Sequence, residues 1–159
     1  MTPNGEPIDA DLLIAQACAL FEGERDAIAN AANLAALIFS AFEAVNWAGF
    51  YFIRGEELVL GPFQGKPACV RIARGAGVCG AAWERAATLV VADVHRFAGH
   101  IACDSASNSE VVVPLLAHGG VIGVLDVDSP KLDRFAPGDV AVLEALARAY
   151  LEASAPISA

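Results

Sequence analysis

The run Val111-Val112-Val113-Pro114-Leu115-Leu116-Ala117-His118-Gly119-Gly120-Val121-Ile122-Gly123-Val124-Leu125-Asp126-Val127 decides the fold. Two apolar, β-branched segments flank His118-Gly119-Gly120, which predicts two antiparallel strands closed by a tight hairpin. Side chains alternate along a strand, so Asp126 and Asp128 fall on one face at the end of the second. Glu110 stands at the mouth of the first. The same core hairpin therefore presents three carboxylates near one end.

Working outward, residues 47–53 are rich in aromatic and apolar side chains and predict another strand. Residues 54–57 turn it back into a short strand over 58–60. Residues 61–67, with two prolines and two glycines, read as a loop, and 68–72 as a further strand. Residues 74–77 turn into a short helix over about 78–85 that carries Cys79, and 88–92 forms one more strand. Three longer helices complete the pattern. The first runs over about residues 10–22, capped by Asp9, with Leu12, Leu13, Gln16, Ala17 and Leu20 at its inward spacing. Cys18 within it reads as a small buried hydrophobe. The second spans about 24–45, with Ile28, Leu34, Leu37, Ile38 and Phe42 inward. The last opens at Pro137 and runs to about 152, apolar at Val140, Leu143, Leu146, Ala147 and Tyr150. The expected class is α+β: a five- to six-stranded, mostly antiparallel sheet flanked by helices. Residues 1–159 are expected to form one domain, with flexible ends at about 1–8 and 153–159.

A hydrophobic share of 56% over 159 residues suffices for a sizeable core, and a net charge of −9 argues against nucleic acid or an anionic membrane as partner. The N-terminus lacks the cationic and apolar regions of a signal peptide. The most apolar stretch, 27–41, falls short of the ~20 residues of a membrane span. A cytoplasmic location follows as the expectation, where thiols stay reduced between reactions.

Chemistry concentrates in the segment from Val94 to Ser109, long enough to suggest function. It contains Gly99-His100-Ile101-Ala102-Cys103-Asp104. Cys103, outside any apolar face, is the candidate nucleophile. Cys69 and Cys79 could each supply the second thiol that condenses with a sulfenic acid to a disulfide. Cys79, near a helix N-terminus, could have its pKa lowered there. Zinc is an alternative, with His95 and His100 completing a set, but no close cysteine pair supports it. Glu110, Asp126 and Asp128 together imply a cationic ligand group or proton transfer. Trp47 and Tyr51, four apart on one strand, could pack in the core or wall a methyl or thioether group. His100 could act as a neighbouring cation to Cys103 or orient the loop.

Six stretches carry a more specific signal: residues 22–26, 47–51, 61–69, 75–80, 99–104 and 109–114. In Trp47-Ala48-Gly49-Phe50-Tyr51, Gly75-Ala76-Gly77-Val78-Cys79-Gly80 and the Cys103 motif above all, the chain resembles the free methionine-(R)-sulfoxide reductases, over about residues 12–146. The resemblance implies a GAF fold and reduction of the free amino acid sulfoxide, without a cofactor and with thioredoxin as the reductant. It implies that Cys103 is the nucleophile, Cys69 the usual resolving cysteine and Cys79 an alternative. It places substrate-binding roles on Trp47, Tyr51, Glu110, Asp126 and Asp128, with Glu110 or Asp128 handling the sulfoxide oxygen. It also implies a homodimer. Ala98 replaces a proline that the family often has before the glycine of the nucleophile loop.

Overall fold

The computed structural model describes residues 1–2, 4–101 and 105–157. Six strands form one sheet: β1 (Trp47–Arg54), β2 (Glu57–Gly65), β3 (Arg71–Ala73), β4 (Leu89–Val91), β5 (Ser109–Ala117) and β6 (Gly120–Ser129). Their order is β3-β2-β1-β6-β5-β4, and every neighbouring pair is antiparallel. Helices α1 (Ala10–Phe21), α2 (Ala27–Ala41) and α4 (Pro137–Ala153) pack on one face. The short α3 (Gly77–Arg85) packs on the other. The α+β expectation holds, with the sheet at its upper strand count.

Period-two alternation sorts the residues between the two faces. Phe50, Phe52, Val111, Val113, Leu115, Leu125 and Val127 join the core under the three long helices. Trp47, Tyr51, Val112 and Val124 point to the α3 side. The β5–β6 hairpin closes through His118 and Gly119 with φ of 53° and 80°, the left-handed pair that suits strand twist.

Several sequence expectations change. Residues 61–65 are strand, not loop: β2 continues so that Phe63, Gln64 and Gly65 pair with Gly49, Ala48 and Trp47. A break in register between Gly49 and Tyr51 lies opposite Gly61-Pro62, which lets the proline sit within the strand without a ladder donor. Residues 68–70, expected as strand, precede β3 and lie outside it. Helix α2 starts later than expected because Asp26 caps it, accepting from the Ile28 and Ala29 amides. Cys18, Leu12, Gln16, Leu20 and Ile28 are exposed rather than inward. The Leu13–Ala17–Phe21 stripe of α1 is buried and Ala10 and Ile14 pack partly against the same core, while Leu12, Cys18 and Leu20 face outward. At the ends, the Glu43 amide donates to the Met1 carbonyl and the Ala155 amide to the Arg25 carbonyl, while Ile157 packs against the core. Among the described residues no helix is long and apolar enough to cross a membrane.

Candidate functional site

The site is assembled on the three central strands, on the α3 side. In the β5–β6 ladder Glu110 lies directly opposite Asp128. In the β1–β6 ladder Trp47 pairs with Asp128 and Gly49 with Asp126. Since these positions share the outward alternation, one patch of sheet carries all three carboxylates beside an indole. Glycine at position 49 leaves room for that indole: a Cβ there would stand 2.7 Å from the Trp47 ring and 2.3 Å from the Phe63 Cβ.

Helix α3 covers the patch. Its first turn drops Cys79 onto the acids, with Sγ 4.0 Å from Glu110 Oε1. Ligand atoms of Cys79, Glu110 and Asp126 all lie within 4.8 Å of one another. Such a donor set could hold a cation, whether an ammonium group or a metal ion. Glu110 and Asp126 are only 7% and 6% exposed. Burial, reinforced by the Asp126 and Asp128 charges, holds the Glu110 carboxyl well above the usual carboxylate range. Burial pushes Asp126 up to about 6, with hydrogen bonding to Glu110 and Cys79 opposing it. Asp126 Oδ1 has no hydrogen-bond partner among the described residues and is free to accept from a ligand.

Cys79 departs from one sequence expectation. Its position at a helix start suggested a lowered pKa, yet burial and the neighbouring Asp126 and Glu110 charges push its thiol well up. A dipole effect is modest beside the removal of a thiolate from water next to three acids. His100 Nε2 lies 4.0 Å from Glu110 Oε2. Burial and His95 lower the His100 pKa while burial raises that of Glu110, so both shifts work against an ion pair at this contact. His95 is engaged elsewhere, its Nε2 3.0 Å from Asn108 Oδ1.

Trp47 and Tyr51 form the apolar wall, stacked with centroids 5.9 Å apart, and Phe63 stacks on the other side of Trp47 at 5.3 Å. Trp47 Nε1 donates to the Lys66 carbonyl and Tyr51 Oη to the Cys69 carbonyl. Burial, with the Asp126 charge, raises the Tyr51 pKa and keeps the phenol a donor. Cys69 is disulfide-bonded, whereas Cys18 and Cys79 are free. Cys103, the candidate nucleophile, lies outside the described residues. The cavity over these groups measures about 40 Å³, room for a few waters. It is lined by Trp47, Tyr51, Cys79, Glu110, Asp126 and Asp128, together with Ala68, His100, Ile101 and Ser107.

Among the described sequence candidates, Cys69 and His95 are absent from that lining, and Cys69 follows directly on Ala68. Two neighbours escaped the sequence reading. Phe63 sat in an apparent loop, although its distance from Gly49 across a β1–β2 hairpin could have revealed it. Ser107, whose Oγ accepts from Asn46 Nδ2 at 3.1 Å, carries no sequence signal of its own.

One prediction follows from Asp126. Its folded-state pKa of about 6 exceeds the ordinary aspartate value, so the folded protein binds the extra proton. This group therefore makes stability fall as pH rises from about 4 to 6, after which its contribution is flat. Asp126→Asn is expected to raise the melting temperature at pH 7 and flatten its decline between pH 4 and 7. A steeper decline in the variant would contradict the assignment.

Comparison with known proteins agrees with this architecture. The GAF domain model matches residues 10–150. The free methionine-R-sulfoxide reductase of Escherichia coli is 53% identical over 121 residues, covering 76% of this chain and 73% of its own. The enzyme of the same name from Saccharomyces cerevisiae is 40% identical over 153 residues, covering 91% and 84%. The fRMsr of Staphylococcus aureus in complex with substrate superposes with a TM-score of 0.88 at 47% identity, covering 93% of this chain and 97% of its own. With this fold, an acid-lined pocket and relatives matched over most of their length, the chain belongs to the GAF-domain family of free methionine-R-sulfoxide reductases.

Proposed function

We propose that this chain is an oxidoreductase that converts free methionine-(R)-sulfoxide to methionine, with Cys103 as nucleophile. The observation that carries this reading is the juxtaposition of a buried Glu110, its carboxyl held well above the usual range by burial, with two further carboxylates and an aromatic wall. Asp126 and Asp128 suit the ammonium of a free amino acid, which a peptide-linked methionine lacks. Trp47 and Tyr51 suit the methyl and thioether end. Glu110, held neutral, protonates the sulfoxide oxygen as the Cys103 thiolate attacks. Oxygen passes to Cys103 as a sulfenic acid and methionine leaves.

Cys69 then attacks the sulfenic sulfur, a disulfide forms and water departs. Two facts favour Cys69 over Cys79 here. Cys69 is already in a disulfide, and the raised pKa of Cys79 makes it a poor attacking thiolate. Cys79 instead serves the pocket as a neutral neighbour of Glu110. A dithiol reductant of the thioredoxin type reopens the disulfide and completes the cycle.

The test supplies free methionine-(R)-sulfoxide, its (S) epimer and a peptide-bound sulfoxide, with thioredoxin recycling and NADPH consumption as readout. Turnover of the free (R) form alone is expected, lost in Cys103→Ser. Mass spectrometry after one turnover without reductant is expected to find a Cys69–Cys103 disulfide. Turnover in Cys103→Ser would remove the proposed nucleophile, and inactivity on every sulfoxide would favour a ligand-sensing GAF domain instead.

A further inference from the structure

Residues 66–70 connect β2 to β3 outside any strand or helix, and they carry Cys69, disulfide-bonded in this structure and proposed as the resolving thiol. A connecting segment of this kind has backbone carbonyls that the sheet ladder does not serve. Here β1 reaches across to them. Tyr51 Oη donates to the Cys69 carbonyl at 2.9 Å, and Trp47 Nε1 donates to the Lys66 carbonyl at 3.1 Å. The Leu60 amide of β2 fixes the next residue through the Val70 carbonyl at 2.9 Å.

The two donors are rigid. Trp47 and Tyr51 are each 2% exposed, stack on each other, and lie on a strand paired on both sides. Each has only two side-chain torsions, and burial leaves little freedom in either. Pro67, between the two tethered carbonyls, further restricts the backbone.

We propose that Tyr51 and Trp47 are positioning residues for Cys69: their hydrogen bonds hold the 66–69 segment where its sulfur can capture the sulfenic acid. This rests on the reading of Cys69 as the resolving thiol. In that step the Cys69 sulfur bonds to the Cys103 sulfur while the S–O bond breaks. The departing hydroxide takes up the proton of the Cys69 thiol as water. The sulfenic sulfur is reduced, the thiol is oxidised, and no outside oxidant is consumed. A thiol fixed by its own backbone carbonyl reacts at high effective concentration, whereas a free loop would have to search for its partner. The wall that receives the substrate and the strap that carries the second thiol are thus one mechanical unit.

Tyr51→Phe tests this, because it keeps the ring and deletes only the donor. Reduced protein is mixed with one equivalent of free methionine-(R)-sulfoxide and quenched over time. Methionine, disulfide and dimedone-trapped Cys103 sulfenic acid are each quantified. The disulfide step is expected to slow roughly three- to tenfold relative to the methionine step, the range of one lost neutral hydrogen bond, so that trapped sulfenic acid accumulates. Trp47→Phe, which deletes the indole donor to Lys66, is expected to act in the same direction. Disulfide closure that keeps pace with methionine formation in both variants would overturn the proposal and leave the aromatics as substrate wall alone. Failure of the wild-type protein to form methionine would overturn the underlying function, whereas a disulfide formed through another cysteine would overturn the reading of Cys69 on which this inference rests.

Discussion

Glu110→Gln is expected to lower kcat by about 10²- to 10⁴-fold, the range attributed to a positioned general acid, with a much smaller change in KM. Glutamine matches the shape of Glu110 and can still donate a hydrogen bond. It cannot give up a proton as the S–O bond of the substrate is cleaved. The variant therefore separates proton transfer from binding. The pH profile offers a second reading. In the wild type, activity should fall on the alkaline side as the raised Glu110 carboxyl ionises, and this limb should vanish in the variant. Substitution of Asp128, opposite Glu110 in the ladder, should act mainly on KM if it binds the ammonium group. A Glu110→Gln enzyme that retains kcat within about threefold would transfer the acid role to another carboxylate.

Arg134→Ala is expected to cost about 3 kcal/mol of folding stability, the low end of the penalty for leaving one partner of a buried ion pair uncompensated, since this pair is part-buried. Arg134 Nη1 lies 2.8 Å from Asp139 Oδ2, and the two side chains are 9% and 11% exposed. The same guanidinium donates through Nε to the Glu43 carbonyl at 2.9 Å and through Nη2 to the Met1 carbonyl at 3.4 Å. Asp139 in turn accepts from the Ala136 amide at 3.0 Å and so caps α4. One planar, five-donor group thus ties the N-terminus, the α2–β1 connection and the start of α4. Lysine, with a single nitrogen, is expected to recover little of the loss. The urea unfolding midpoint measures the effect. A loss below about 1 kcal/mol would place the pair with ordinary surface salt bridges.

The network shows the difference between local and non-local information. Asp9 is recognisable as a helix cap because its side chain bonds only three residues ahead. Arg134, by contrast, bonds a carbonyl 91 positions away. Nothing in its neighbourhood along the chain marks it as a buried structural cation. The extent of β2 was hidden for a similar reason. Gly61-Pro62 and Gly65 have the composition of a loop, and only the paired β1 strand supplies the hydrogen bonds and the register break that make residues 61–65 a strand. Surface helix α1 misled in the opposite direction, since helical spacing of leucines marks a possible face without saying whether anything covers it.

By itself the sequence determined the α+β class, the central hairpin, the common face of Asp126 and Asp128 and the motifs that resemble a reductase family. These are local properties, carried by period-two alternation, turn residues and short motifs. Tertiary structure alone decided that Glu110 sits opposite Asp128 and that Cys79 drops onto the acids from α3. It alone decided that burial raises the Glu110 and Cys79 pKa values. A pKa depends on what surrounds a group on every side, and those neighbours come from strands and a helix far apart in the chain. The link from Tyr51 and Trp47 to the Cys69 segment has the same origin, because a side chain finds its carbonyl only after the sheet has brought the two together.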